Sequence, residues 1–305
     1  MNNVVLNENL SQISRLFIYL AMAIYTFSFL TYALNLSRQA SEKKAIRAEA
    51  SKSERVALIL LISAAVFHGV GVILRAISVS RVPWGNMYEF SLTGSFVIVA
   101  IFIAAQFFVR DIKFIAILVS GFALLVLGAA TTVFYVEVKS LMPALQNYWL
   151  YIHVSVAVLA TAFFNIAAAL SVAYLFKTSG FIGKSKAAIV KPLKRILDVF
   201  PAENKLEKLA YRFNIIGFIL WTFTLIAGAI WAERAWHRYW GWDTKEVWTF
   251  IIWTLYAGYL HANATRGWSG KRSAWLSLVG FAAVIFNFTI VNLFFKGLHV
   301  YSGLK

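Results

Sequence analysis

The chain has 305 residues, 60% hydrophobic and 14% charged, with a formal net charge of +16 and no cysteine. A soluble domain is nearer half apolar and a quarter charged, so a water-soluble enzyme is excluded. Disulfide and thiol chemistry are excluded with the cysteines.

The apolar residues fall in uninterrupted runs of membrane length, which reads as all-α: a polytopic membrane helix bundle in one domain spanning 1–305. A transmembrane β-barrel would show shorter, alternating segments. Eight spans are expected, at approximately 13–35, 56–76, 88–108, 114–135, 150–176, 213–232, 247–264 and 274–295. The first run is long and lacks a small-residue cleavage pattern after Asn35. It is therefore expected to stay as a helix, with no signal or transit peptide.

Loops 37–55, 109–113, 177–212 and 265–273 hold twenty of the 29 Lys and Arg residues. That bias puts these loops in the cytoplasm and both termini on the extracytoplasmic side. The positive charge thus serves membrane orientation and gives no reason to invoke nucleic acid. The longest loop, 177–212, carries Lys184, Lys186, Lys191, Lys194, Arg195, Lys205 and Lys208. It fits a solvated segment or an amphipathic helix on anionic lipid headgroups.

Four features then share the outer face. The turn Val82–Glu89 contains Pro83 and Gly85, with Trp84 and Tyr88 at the interface. The fifth span begins with Trp149, Tyr151 and His153. The stretch Trp231–Trp248 holds five of the chain's 11 tryptophans between two apolar runs, and the tail carries His299. An aromatic interface belt needs one or two rings per helix end. Trp231, Trp236, Tyr239, Trp240 and Trp242 exceed that, so a flat aromatic platform for a large planar apolar ligand is expected here.

His153 and His299 each lie at the outer end of a helix, where both can lean over the platform. Two imidazoles beside an aromatic shelf match the axial needs of a planar iron macrocycle. The competing reading is two interfacial histidines that simply reach water. His237, inside the loop, is either a further ligand or a solvent-facing neighbour of Arg238. His261 lies roughly 21 Å along the seventh span from Val247, at 1.5 Å per residue. Like His68 on the second span it is intramembrane, and either marks a buried site or makes a helix–helix hydrogen bond. Asp243 and Glu246 stand where acids cap a helix N-terminus. Arg234, Arg238 and Lys245 would pair with those acids or meet the propionates of a haem, with Arg75 and Arg81 as further candidates.

W-H-R-Y-W-G-W-D at Trp236–Asp243 resembles the tryptophan-rich signature W-G-x-x-W-x-W-D of the haem-handling membrane proteins of cytochrome c maturation. T-K-E at Thr244–Glu246 is similar to the D-P-K-E ending of their CcsA (ResC) branch. So are L-H-A-N at Leu260–Asn263, P-W-G-N-M-Y-E at Pro83–Glu89 and the late His299. The similarity runs from the second span onward. His237 and Thr244 depart from it, standing where the pattern has Gly and Pro.

The resemblance implies a cytochrome c synthase, or haem lyase, acting with the membrane partner CcsB (ResB). Haem b is carried to the extracytoplasmic side and joined to C-x-x-C-H of an apocytochrome c kept reduced by thiol-reducing proteins. His153 and His299 correspond to the outer axial pair of the haem iron. His261 corresponds to an inner axial histidine whose mate comes from CcsB. Trp236, Tyr239, Trp240, Trp242, Asp243, Arg234 and Arg238 fall in the expected haem-binding loop, 231–248. The plasma membrane is the expected location, ahead of the thylakoid. Two other readings stay open. One is a cytochrome b-type electron-transfer subunit using His68 and His261. The other is a secondary transporter of an amphipathic aromatic solute, which would show inverted repeats and broken helices.

Overall fold

A computed structural model describes residues 6–41, 43–140, 146–179, 190–265, 267–299 and 302–303. Lys184, Lys186 and Arg266 of the expected basic loops lie outside the described residues. All regular structure among the described residues is helical. In order, it comprises α1 (Glu8–Gln39), α2 (Lys44–Ala48), α3 (Ala50–Ser78), α4 (Met87–Phe108), a 3-10 turn (Arg110–Ile115), α5 (Ala116–Thr132) and α6 (Tyr148–Lys177). There follow α7 (Val190–Val199), α8 (Glu203–Trp236), α9 (Thr244–Thr265) and α10 (Lys271–Phe286). A π-helical turn (Asn287–Val291) then leads into the short α11 (Asn292–Phe294).

This is a polytopic helix bundle. Among the described residues, seven helices are long and apolar enough to cross a membrane. They are α1, α3 with α2, α4, α5 with its preceding 3-10 turn, α6, α8, and α10 through α11. α9 has 22 residues, the same as α4, but is more polar, with Thr249, Thr254, His261 and Asn263 along it. Helices run the full length of six of the eight expected stretches; α5 stops at Thr132, short of 135, and α11 at Phe294, short of 295.

Sequence explains where several helices start. Asn7, Asn86 and Asn147 each cap an N-terminus, accepting from the backbone N–H of Leu10, Glu89 and Trp149. An Asn side chain there satisfies a donor that has no partner within the helix. α9 begins with a reciprocal capping box. The Asp243 carboxylate accepts from Lys245 N, and Glu246 Oε2 accepts from Asp243 N at 3.0 Å.

α1 packs along α3, and α6 along α8. Small hydroxyl residues let the first pair approach closely. Ser14 Oγ donates to the Gly71 carbonyl at 2.6 Å and Ser28 Oγ to the Ala57 carbonyl at 3.0 Å. Between lipid-bathed helices, such contacts replace the hydrophobic drive that water supplies elsewhere.

His68 ties three helices together. Leu92's carbonyl can only accept, so His68 Nε2–H donates to it at 3.0 Å. Nδ1 therefore faces the Tyr25 hydroxyl, 3.3 Å away, as acceptor. The ring is fully buried with both nitrogens engaged. Of the two roles open to it in the sequence, His68 takes the helix–helix hydrogen bond.

Candidate haem-presenting cavity

The four features expected on one face do meet at one end of the bundle. They line a cavity of about 250 Å³. Trp84 comes from the α3–α4 turn, Leu150 and His153 from the start of α6, and Trp231, Tyr239 and Trp240 from the end of α8 and the turn beyond it. His299 comes from the tail. Phe90, Trp221, Val284, Ile285 and Phe288 make the deeper wall apolar.

His153 is fixed by α8. Its Nδ1–H donates to the Thr224 carbonyl at 3.0 Å, so Nε2 carries the lone pair. Gly228 makes this possible. A Cβ there would lie 2.8 Å from the imidazole Cε1 and 2.9 Å from Nδ1, closer than atoms pack. The ring stacks on Trp231, with centroids 5.9 Å apart and planes 17° apart.

His299 is fixed by Asp243. Its Nδ1 donates to Asp243 Oδ2 at 2.8 Å. Oδ1 of the same carboxylate accepts from Leu298 N at 2.9 Å. Gly297 permits this: a Cβ at that position would fall 2.1 Å from Oδ1. Asp243 therefore caps α9, pins the tail and sets the tautomer of an imidazole. A carboxylate behind a ring nitrogen commonly orients a metal-binding histidine. Burial raises the Asp243 pKa, but hydrogen bonds from His299, Leu298 and Lys245, with the His299 charge, leave it below the ordinary carboxylate value of 3.8.

The tryptophans do not form the flat platform expected. Trp231 meets Trp236 at 64° and His299 at 68°, while Trp240 meets Trp242 at 87°. Ring quadrupoles favour such edge-to-face pairs over a flat sheet. Trp236 packs on His299 at 4.7 Å from outside the cavity wall. Trp242 is 76% exposed and also outside it. The loop is shorter than its tryptophans imply, since α8 runs to Trp236 and α9 starts at Thr244. His237 ends α8 in a left-handed conformation with its side chain exposed, away from the cavity.

The cations are placed differently from expectation too. Arg234 and Arg238 are not among the lining residues, and Arg234 lies 3.5 Å from Glu233. Glu246 Oε2 accepts from Gly241 N at 2.7 Å as well as from Asp243 N. So Asp243 and Glu246 are engaged by backbone and His299 rather than by arginine. Arg75 and Arg81 both bind Glu89: Arg75 Nε and Nη2 reach Oε1 at 3.1 and 3.0 Å, and Arg81 Nη1 reaches Oε2 at 2.6 Å. That buried cluster holds the Trp84 turn through Gly85 N, which donates to Glu89 Oε2. His261 is exposed on α9, apart from the cavity.

Some cavity residues had no signal in the sequence. Trp221, Thr224 and Gly228 read as ordinary span residues until α6 is laid against α8. The π-helical turn, whose Asn287 and Phe288 line the cavity, has no sequence marker, although such turns recur at functional sites.

The donor set fits a porphyrin iron. Two imidazoles far apart in the sequence, one mid-chain and one in the tail, reach one apolar cavity, each oriented through Nδ1, with a large indole packed against both.

Residues 84–299 match the family model for "Cytochrome C assembly protein". The chain is 33% identical to a "Cytochrome c biogenesis protein CcsA" of Prochlorococcus marinus (strain SARG) over 273 residues, 83% of this chain and 85% of the relative. It is 35% identical to the protein of that name from strain MIT 9301 of the same species, over 73% of this chain and 76% of the relative. It is 32% identical to the one from Porphyra purpurea, over 73% of this chain and 79% of the relative. With a cavity built by the very segments the family model spans, and relatives of one name along most of its length, the chain belongs to the CcsA family of cytochrome c assembly proteins and serves cytochrome c biogenesis.

Proposed function

We propose that the chain binds haem b in this cavity and presents it for thioether attachment to the C-x-x-C-H cysteines of an apocytochrome c. The observation that carries this reading is the meeting of His153 and His299 on one cavity wall, with Trp231 against both.

Haem supplies the iron and two vinyl groups, each of which gains a cysteine sulfur on one carbon and a proton on the other. The chain supplies binding and orientation. His153 and His299 would hold the haem iron through their imidazole nitrogens. Asp243 and the Thr224 carbonyl hold those rings against rotation. The apolar wall of Trp231, Trp221, Phe90 and Phe288 excludes water from the macrocycle. The histidine of C-x-x-C-H would then replace one of the two imidazoles, releasing the product. The absence of cysteine in the chain fits, because a resident thiol would compete for the vinyls.

The working unit in this reading is a haem lyase formed with CcsB (ResB) in the plasma membrane, the cavity facing the extracytoplasmic side. Thiol-reducing proteins keep the apocytochrome cysteines free. His261, exposed on α9, is available to a neighbouring membrane partner. Basic α7, with Lys191, Lys194 and Arg195, suits an anionic lipid surface.

A cytochrome b-type electron carrier is disfavoured by His68, whose ring nitrogens are both hydrogen-bonded inside the bundle. The test is the absorption spectrum of the purified chain with its partner. A b-type, bis-imidazole spectrum is expected. His153→Ala and His299→Ala should each lose it, with partial recovery in added imidazole. An unchanged spectrum and full cytochrome c assembly in both variants would refute the axial assignment.

A further inference from the structure

We propose that Lys245 is the carboxylate anchor of the cavity, the group that receives a propionate of the bound porphyrin. This deepens the haem reading above and rests on it.

Among the described residues lining the cavity, Lys245 is the only Lys or Arg. Its ammonium makes one described hydrogen bond, donating to the Asn287 carbonyl at 2.7 Å. An ammonium has three donors, so two remain to be used. It has no carboxylate within ion-pair distance among the described residues. Burial draws its pKa down to about 7, with the Asp243 charge only partly opposing that shift. A charge kept in an apolar recess without a counter-ion is costly unless a ligand brings one.

The nearest acids serve other groups. Asp243 is bound by His299, Leu298 and Lys245's own backbone N–H. Glu246, which also lines the cavity, has Oε2 bound by Gly241 and Asp243, while its buried Oε1 has no hydrogen-bond partner, Lys245 included, among the described residues. A second donor lines the same cavity: among the described residues, the buried indole Nε1 of Trp84 has no hydrogen-bond partner. The cavity therefore offers the two features of a porphyrin that carries acid side chains: axial nitrogens for the metal and a cation for a carboxylate. Lys245 N and His299 Nδ1 bond the same oxygen of Asp243, so anchor and axial ligand are built on one support.

Arg234 and Arg238, the cations the loop sequence favoured, lie off this wall. Lys245 also secures the first carbonyl of the π-helical turn, which is a purely structural duty. Those two duties separate by ligand chemistry, because a structural role does not depend on whether the porphyrin's acids are free or esterified.

The experiment titrates the purified full chain with iron protoporphyrin IX and with its dimethyl ester, followed by the Soret band and by tryptophan quenching. The unmodified chain should bind the free acid at least about tenfold tighter than the ester, as expected for a hydrogen bond to a charged group. Lys245→Gln, which can still donate to Asn287, should bind both alike. Lys245→Arg should keep most of the preference. If the unmodified chain binds both porphyrins equally, or Lys245→Gln keeps the full preference, the anchor assignment is overturned while haem binding stands. If the unmodified chain binds neither, the haem reading falls and takes the anchor with it.

Discussion

Replacing Asp243 with Ala releases the tail and the His299 ring from the tryptophan loop while leaving both imidazoles in the chain. The carboxylate accepts three hydrogen bonds, from Lys245 N at 3.3 Å, Leu298 N at 2.9 Å and His299 Nδ1 at 2.8 Å. The first belongs to the α9 cap and is worth about 1 kcal/mol of helix stability. The second holds the tail backbone. Only the third orients the His299 ring, the proposed iron ligand, directly. A hydrogen bond to a charged group is worth about 1.5–3 kcal/mol. At about 1.4 kcal/mol per decade, haem affinity should fall roughly ten- to a hundred-fold. Removing the partner that orients a metal-bound histidine gives about the same range independently. The assay is a Soret titration of purified chain, with His299→Ala as the limit of complete loss and Asp243→Glu as the conservative variant. Added imidazole should restore the spectrum of Asp243→Ala, because the missing element is a held ring rather than the cavity. Wild-type affinity in Asp243→Ala would refute the clamp.

Gly228→Ala places a methyl 2.8 Å from the His153 ring and should break its bond to Thr224. Haem affinity should drop about tenfold for the loss of one hydrogen bond. Thermal stability should change by less than about 1 kcal/mol, since Ala is the better helix former by that amount; a large loss of stability would mean the helices, not the ring, absorb the methyl. Glu89→Gln removes the counter-ion of Arg75, which is fully buried. It should destabilise the bundle by about 3–5 kcal/mol in thermal unfolding. Because the Asp243 pKa is below 3.8 in the folded chain, its contribution is complete above that value and is lost only as pH falls through the lowered one. Hydrogen-exchange protection of the Leu298 amide, corrected for intrinsic rate, should thus be the same at pH 7 and pH 5.

The apolar runs alone settled that the chain is a helix bundle, because only length and uniform hydrophobicity are needed to cross a bilayer. Position ahead of the seventh span made the α9 cap one of the readings open to Asp243 and Glu246, and the structure shows it. The resemblance implied that His153 and His299 act as a pair, and both line one cavity. The wall between them was not legible. In a lipid-bathed helix every face is apolar, so no stripe tells which residues turn inward. Successive residues differ by about 100° around the axis. Trp231 and Trp236 therefore leave α8 in different directions, and only packing against α6 and the tail decides that Trp231 lines the cavity while Trp236 stands behind His299. Charge was equally ambiguous. Arg234, Arg238 and Lys245 are alike on the page as cations near a tryptophan loop, but the side on which α9 meets the π-helical turn puts Lys245 alone among them on the wall. Asp243 read as a helix cap and was one, yet its second task, holding a tail from the far end of the chain, depends on a contact between residues 243 and 298–299 that no local pattern encodes.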